Sequence, residues 1–204
     1  KMKKVLILYG SKYGTTEDIA KEIAKELKSN NINPNLLKLN KKDPDKFPKI
    51  EEYNGILVGS GIYMNNWIKS MRKFFELKNT ELNNDMIKFG LFISCGAGCA
   101  EEIYEFARET YINAVIKKYD LKPDIYEIFG SYFDLTKDSK FGYIYRKLLL
   151  YEMRKTIEKF NVQMTLEDNK VYDYRNWDKI RNFAKLFAKL VLTEKSVPIN
   201  NPIN

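Results

Sequence analysis

The sequence predicts an α/β protein built on a doubly wound parallel sheet of five strands. Unbroken apolar runs of strand length, such as Val5–Leu8, are typical of parallel strands that are covered on both faces. Helix-length segments with apolar residues at helical spacing separate these runs, and each parallel pair of strands needs a crossover of that length. With 204 residues, of which 44% are hydrophobic and 30% are charged, the chain is expected to form a single domain.

Strands and helices are predicted to alternate along the chain. The first strand ends at Gly10, and Glu17 and Asp18 mark the first turn of the next helix, where the helix dipole favours negative charge. Further strands are predicted at residues 36–39, 55–60, 86–94 and 124–133. Helices are predicted at residues 67–75 and 100–119 and at the end of the chain. A solvated connection is predicted at residues 41–49.

The turn between the first strand and its helix is a candidate phosphate site. Backbone N–H groups at a helix N-terminus have no partner inside the helix and favour anions. Hydroxyl side chains add donors, and Gly14 permits positive φ. The alternative is an ordinary capping box between Thr15 and Asp18. The candidate residues are Ser11, Lys12, Tyr13, Gly14, Thr15 and Thr16.

Residues 9–17 read Tyr-Gly-Ser-Lys-Tyr-Gly-Thr-Thr-Glu and resemble the flavodoxin signature. In that family a (T/S)-x-T-G-x-T loop after the first strand wraps the phosphate of FMN, and Tyr13 departs from the pattern, where flavodoxins have Thr or Ser. Other phosphate motifs do not fit, because there is no G-x-x-x-x-G-K-(S/T) and the triplets at 59–61 and 96–98 lack the third glycine of a dinucleotide fingerprint. The resemblance implies FMN as the cofactor and the strand order 2-1-3-4-5.

In doubly wound sheets, ligands bind at the carboxyl ends of the strands, near the switch point. Three loops are therefore expected to meet, at residues 10–16, 60–67 and 94–99. The flavodoxin resemblance implies that the second and third loops hold the isoalloxazine ring. Tyr63 is a candidate to stack on that ring, with core packing as the alternative, and Trp67 is expected in the core. The candidate cofactor-binding residues of these two loops are Ser60, Gly61, Ile62, Tyr63, Met64, Asn65, Ser94, Cys95, Gly96, Ala97 and Gly98.

Composition excludes several kinds of active site. The sequence has no histidine, which rules out a nucleophile activated by histidine and zinc sites with imidazole ligands. Cys95 and Cys99 are expected to be reduced structural thiols, with a role beside a cofactor as the alternative. We expect no metal site and assign no catalytic side chain. No apolar run is long enough to cross a membrane, and a cytoplasmic protein is expected.

Net charge separates this chain from the flavodoxins that carry electrons, which are strongly acidic. The formal net charge is +8, and most of the excess lies between Lys140 and Lys195, with 13 Lys or Arg against 7 Asp or Glu. Because these cations are dispersed along helices and no nucleic-acid motif is present, a nucleic-acid partner is not expected.

The end of the chain carries a second resemblance. Residues 172–184 are similar to the Y-T-D-W-E-x-V-x-x-F-A ending of the flavodoxin-like, quinone-dependent protoporphyrinogen dehydrogenases, with Asn176 in place of an Asp that caps the last helix. That family also carries a basic, hydrophobic insert after its fifth strand, expected here at about residues 134–171, before a last helix at about 176–192. The resemblance implies FMN-dependent, two-electron oxidation of a large apolar substrate such as a porphyrinogen, with electrons passed to a quinone or another carrier.

Three functions stay open at this point. The first is an FMN-dependent oxidoreductase of the protoporphyrinogen dehydrogenase type. The second is a flavodoxin-type electron carrier that docks on a redox partner protein. The third is a non-redox, flavin-free domain whose first loop binds another phosphate or nothing. The insert is expected to cap the edge of the sheet, to form one wall of a substrate site or to lie on an anionic membrane. Its predicted apolar stripe is Phe141, Ile144, Tyr145, Leu148, Leu149, Met153, Ile157 and Phe160.

Overall fold

Five parallel strands form the centre of the computed structural model, which describes residues 2–39 and 47–193. The strands of this sheet are β1 (Lys3–Gly10), β2 (Ile32–Lys38), β3 (Gly55–Tyr63), β4 (Asn66–Trp67), β5 (Lys88–Ser94) and β6 (Ile125–Phe129). Their order is β2-β1-β3-β5-β6, and the short β4 pairs antiparallel with the end of β3. Since β4 belongs only to a hairpin, the parallel strands confirm the predicted order 2-1-3-4-5.

Helices cover both faces of this sheet. The helices of the described residues are α1 (Thr15–Ser29), α2 (Lys69–Leu82), α3 (Tyr104–Ala107), α4 (Ala114–Tyr119), α5 (Tyr143–Lys159) and α6 (Trp177–Leu192). Along β1, Val5 and Ile7 pack with α1 and α6, whereas Leu6 and Leu8 pack with α2 and α4. Successive strand residues point to opposite faces. Because the side chains on both faces of β1 are buried, helices cover the sheet on both sides, and the predicted α/β class is confirmed.

Element boundaries differ from the predicted ones by a few residues. The predicted helix at 100–119 becomes α-helical only at Tyr104, after two 3₁₀ turns, and contains a π-helical stretch, Arg108–Asn113. At the last helix, the side chain of Asn176 accepts a hydrogen bond from the N–H of Lys179, as expected for a cap. Residues 41–46 of the predicted solvated connection lie outside the described residues.

The predicted fifth strand at 124–133 is too long, because the chain leaves the sheet after Phe129. At Gly130, directly after the strand, a Cβ would lie 2.2 Å from the carbonyl oxygen of Tyr174, so only glycine permits this close approach of two backbones. The chain then forms β7 (Tyr132–Asp134), which pairs antiparallel with β8 (Val171–Asp173). This two-stranded sheet brackets the insert and its helix, α5.

The insert has a small apolar cluster of its own. Its buried members are Phe133, Leu135, Phe141, Leu150, Met153 and Leu166. The predicted stripe is partly wrong, because Ile144 and Leu148 are 82% and 44% exposed. Arg146, one of the cations of this basic insert, is buried, and its guanidinium donates to the carbonyl of Thr136. The small cluster buries one side of α5 and leaves apolar side chains exposed on another.

Candidate functional site

The carboxyl ends of β1, β3 and β5 enclose a narrow cleft of ≈ 90 Å³. The three predicted loops meet there, at the edge of the sheet where ligands of doubly wound folds bind. The predicted residues that line it are Ser11, Lys12, Tyr13, Thr15, Thr16, Gly61, Ile62, Tyr63, Ser94, Cys95 and Gly96.

The N-terminus of α1 opens towards this cleft. Gly14 stands at the N-cap with a φ of 105°, a left-handed conformation that favours glycine, and Gly14 itself lines an adjoining cleft. No side chain caps the helix, so the capping box between Thr15 and Asp18 does not form. Among the described residues, nothing accepts a hydrogen bond from the N–H groups of Thr15 and Thr16. The first turn therefore has free donors for an anion.

The floor of the cleft is a buried pair of hydroxyls. Thr16 Oγ1 and Ser94 Oγ are 2.8 Å apart and hydrogen-bonded, which ties the first loop to the end of β5. A Cβ at Gly61 would lie 3.0 Å from Thr16 Oγ1, so this glycine lets β3 approach the pair. These three predicted residues thus shape the base of the cleft.

Two predicted residues of the second loop hold the loop in place and do not line the cleft. Ser60 Oγ donates to the carbonyl of Gly61 at 2.8 Å and accepts from the N–H of Ile68 at 3.1 Å. Asn65 Oδ1 accepts from the hydroxyl of Tyr111 at 3.0 Å. Both side chains therefore act on the conformation of the hairpin that carries Tyr63.

Met64 and Trp67 lie on the other side of this hairpin. Met64 is exposed and lines a neighbouring cleft together with Arg72. Trp67 is buried, and its Nε1 donates to the carbonyl of Tyr111 at 2.7 Å. The expectation that Trp67 belongs to the core is confirmed.

The third loop places one cysteine at the cleft. Ala97 packs against the core, and a Cβ at Gly98 would lie 2.3 Å from the carbonyl oxygen of Phe129, so these two predicted residues lie outside the cleft lining. Cys95 and Cys99 are free thiols, and burial raises the pKa of each to about 12. Both thiols are therefore protonated and unreactive near neutral pH.

An aromatic cluster closes the outer side of the cleft. The ring of Tyr145 stacks on Tyr13 with a centroid distance of 5.4 Å and lies 5.1 Å from Tyr63. Phe141 meets Tyr13 edge to face at 4.5 Å. Burial, chiefly, raises the pKa of the Tyr145 hydroxyl, which stays neutral. Two of these four rings come from the insert.

Sequence reasoning missed the lining residues contributed by the insert and its flanks. The additional lining residues are Ile68, Ser131, Tyr132, Phe133, Phe141, Tyr145 and Leu149. Phe141, Tyr145 and Leu149 are spaced by four residues, and that helical spacing was visible as part of the apolar stripe. The spacing does not say which surface the three side chains cover, and only the packed structure turns them towards the first loop.

These residues fit a flavin mononucleotide. The free N–H groups of α1 and the hydroxyls of Ser11 and Thr15 suit a phosphate, and the rings of Tyr63 and Tyr145 suit a flat ring system. No Asp or Glu is among the described residues that line the cleft, so an anion meets no direct repulsion. A ring lying between two others needs about 7 Å, twice the contact distance of about 3.5 Å. The two tyrosines must therefore separate to admit one.

Other kinds of site are not visible in the described part of the chain. Its His, Cys, Asp and Glu residues form no group of three or more that could hold a metal ion. None of its helices is long and apolar enough to cross a bilayer.

Comparison with known proteins agrees with this geometry. Residues 6–137 match the family model described as "Flavodoxin domain". No curated protein matches the chain. Among solved structures, the chain is similar to rubredoxin oxygen:oxidoreductase from the anaerobe Desulfovibrio gigas, with 12% identity, a TM-score of 0.49 and coverage of 92% of this chain and 36% of that one. The chain thus spans about a third of the length of that relative.

Two smaller proteins are also similar. The two-electron reduced flavodoxin of Megasphaera elsdenii has 22% identity and a TM-score of 0.46, over 61% of this chain and 84% of that one. A flavoprotein from Lactobacillus acidophilus NCFM, solved in complex with FMN, has 18% identity and a TM-score of 0.44, over 62% of this chain and 93% of that one. The family model, which covers well over half of the chain, decides the assignment: the chain belongs to the flavodoxin domain family and is an FMN-binding redox protein.

Proposed function

We propose that this protein is an FMN-dependent oxidoreductase that removes two electrons from a large apolar, porphyrinogen-like substrate and passes them to a quinone or another carrier. The cofactor-binding residues of the proposal are those that line the cleft. FMN supplies the redox chemistry, and the protein binds and orients it and excludes water. The described titratable groups of the cleft include no carboxylate, and we assign no catalytic side chain.

The observation that carries this proposal is the apolar wall that the insert adds to the cleft. Phe133, Phe141, Tyr145 and Leu149 line it opposite the first loop. An electron carrier needs only an exposed cofactor edge, whereas a wall of aromatic and aliphatic side chains adds contact area for an apolar molecule. The resemblance of residues 172–184 to the protoporphyrinogen dehydrogenases supports the same choice.

The proposal includes contact with the inner face of an anionic membrane. The outer face of α5 exposes Tyr143, Ile144 and Tyr151, and Lys155 lies 5.7 Å from the Tyr151 ring. An interfacial helix combines such apolar and aromatic side chains with cations that attract acidic lipids. A quinone dissolved in the bilayer would then lie close to the cleft.

Titration of the apoprotein with FMN, followed by stepwise anaerobic reduction, tests the function. Tight binding of FMN and its reduction in one two-electron step support the oxidoreductase. Turnover of a porphyrinogen with a quinone would demonstrate the activity directly. Reduction in two well-separated one-electron steps, without turnover, identifies an electron carrier instead. Absence of FMN binding overturns both.

Neighbouring leucines of α5 provide a matched test of the wall and the membrane face. Leu149 lines the cleft, whereas Leu148 is exposed. We expect Leu149→Ser to raise the KM for the porphyrinogen and leave sedimentation with phosphatidylglycerol vesicles unchanged. Leu148→Ser should weaken vesicle binding and leave turnover in detergent unchanged. Equal effects of the two variants on both measurements would contradict the division of α5 into two faces.

A further inference from the structure

Lys12 differs from the other residues of the first loop, because its side chain turns into the aromatic cluster. Its Nζ lies 3.5 Å from the centroid of the Tyr63 ring, 5.2 Å from that of Tyr13 and 5.7 Å from that of Tyr145. A cation within about 6 Å of a ring centroid is attracted by the face of the ring. The ammonium is therefore held among the rings where a flat ring system fits, away from the free N–H groups of α1.

The charge of Lys12 is not neutralised by a carboxylate. Within the described residues, Lys12 forms no ion pair. The carboxylates that line the adjoining cleft are engaged elsewhere: Glu17 bonds to Lys21 and Lys38, Asp18 to Arg175, and Asp134 to Thr136. A positive potential thus remains at the aromatic end of the cleft.

The ammonium stays charged at neutral pH. Burial alone would lower the pKa of Lys12, but the neighbouring polar hydroxyls of Tyr63 and Tyr13 outweigh burial and raise the pKa above its ordinary value. Besides these two tyrosines, Tyr145 from α5 faces it, and burial raises the pKa of the Tyr145 hydroxyl. The site therefore keeps one full positive charge.

We infer that Lys12 sets the reduction potential of the bound cofactor by stabilising negative charge on its reduced ring. This inference rests on FMN binding in the cleft. Two electrons and one proton added to an isoalloxazine ring leave one net negative charge on it. A cation a few ångströms away favours that form over the oxidised, neutral ring. Lysine suits this role because its compact charge sits on a flexible stem and can follow the ring when Tyr63 and Tyr145 separate.

Spectroelectrochemistry of the FMN-loaded protein tests the inference, with electrons supplied by an electrode through soluble mediators. For Lys12→Met, we expect the affinity for reduced FMN relative to oxidised FMN to fall about tenfold. This corresponds to a potential about 30 mV more negative for a two-electron couple. Lys12→Arg keeps the charge, and its potential should differ from that of the wild type by less than a third of the shift expected for Lys12→Met.

Lys118→Met is the matched control. Lys118 Nζ lies 5.2 Å from the Tyr119 ring on α4, so the variant removes a lysine that covers a tyrosine outside the cleft. We expect its potential to equal that of the wild type. An equal shift in Lys118→Met and Lys12→Met would assign the effect to net charge alone and overturn the inference.

The pH profile separates electrostatics from packing. A nearby cation favours the anionic form of the reduced ring over its protonated form. The break in a plot of potential against pH, which marks protonation of the reduced ring, should therefore lie at a higher pH in Lys12→Met than in the wild type. A direct FMN titration of each variant accompanies the measurement. Failure of the wild type to bind FMN defeats the proposed function, whereas normal binding with an unchanged potential in Lys12→Met defeats only the role of Lys12.

Discussion

The sheet and the insert contribute to the same cleft in different ways. The first loop and α1 present backbone N–H groups, whose direction follows from the strand-turn-helix path itself. The insert presents side chains, and their direction depends on how α5 packs against a small cluster. Free backbone donors suited to an anion are thus built into the fold of residues 3–29, while the apolar wall is added by a separate segment.

Burial separates the two regions as well. Each face of the sheet has an extended cluster of side chains fully removed from water, whereas the insert cluster has six buried members, none of them fully enclosed. Burial of apolar area stabilises a fold by about 25 cal/mol per Å². We therefore expect substitutions in the sheet to act on stability and substitutions in the insert to act on binding.

The largest effect is expected from Phe92→Ala in β5. Phe92 is fully buried, meets Phe183 edge to face, and occupies the space beside Gly59, where a Cβ would lie 2.0 Å from the Phe92 ring. The resulting cavity should lower the free energy of unfolding by about 3–5 kcal/mol, measured by urea denaturation. Phe106→Ala, at a partly exposed ring, should cost no more than about 1 kcal/mol. Equal losses would show that the sheet core does not dominate stability.

Tyr145→Ala tests the insert as a binding element. The ring contacts Tyr13 and Tyr63 at the cleft, and an aromatic stacking contact contributes about 0.5–1.5 kcal/mol, so the Kd for FMN should rise about three- to tenfold. Fluorescence titration measures this. Tyr151→Ala, on the exposed face of the same helix, should leave the Kd unchanged. An unchanged Kd in Tyr145→Ala would mean that the insert does not contact the cofactor.

Arg175 joins the two regions, and its loss should have an intermediate effect. Its guanidinium pairs with Asp173 at 2.7 Å and with Asp18 of α1 at 2.9 Å, and it lies 4.7 Å from the ring of Trp177. Arg175→Met should lower the free energy of unfolding by about 1–2 kcal/mol at pH 7. Arg181→Met removes a more exposed link to α1 and should cost about 0.5 kcal/mol or less.

The effect of Arg175→Met should depend on pH in a defined direction. Hydrogen bonds from Arg175 lower the pKa of Asp173. A carboxyl with a lowered pKa in the folded protein contributes stability above its unfolded value of about 3.9 and loses that contribution as the pH falls through the folded pKa. The difference in melting temperature between wild type and Arg175→Met should therefore shrink below about pH 4. A difference that grew on acidification would contradict the pairing.

The smallest effect is expected from thiol reagents. Burial raises the pKa of Cys95 and Cys99 to about 12, so the reactive thiolate is scarce at pH 7.5. Iodoacetamide should alkylate the folded protein far more slowly than the protein in urea, and FMN binding should survive the treatment. Rapid alkylation of the folded protein would reopen a role for these thiols beside the cofactor.

The sequence by itself determined the strands of the sheet and the first loop, and the resemblance of residues 9–17 to the flavodoxin signature implied the strand order. Apolar runs such as Val5–Leu8 and the spacing of Ile19, Ile23 and Leu27 are local patterns with a period set by the strand or helix. Gly14 and the hydroxyls beside it act within a few residues of one another. Such local patterns can be read from the sequence without knowing which residues pack against them.

Only the tertiary structure decided that β6 stops before Gly130, which side of α5 is buried and where Lys12 lies. Gly130 faces Tyr174, and Lys12 meets Tyr63 and Tyr145, pairs that are separated by dozens of residues. The periodicity of α5 fits more than one buried face, because a helix this rich in apolar residues has several candidate stripes. Long-range packing selects among these stripes, and it completes the cleft with side chains whose sequence positions give no sign of their contact.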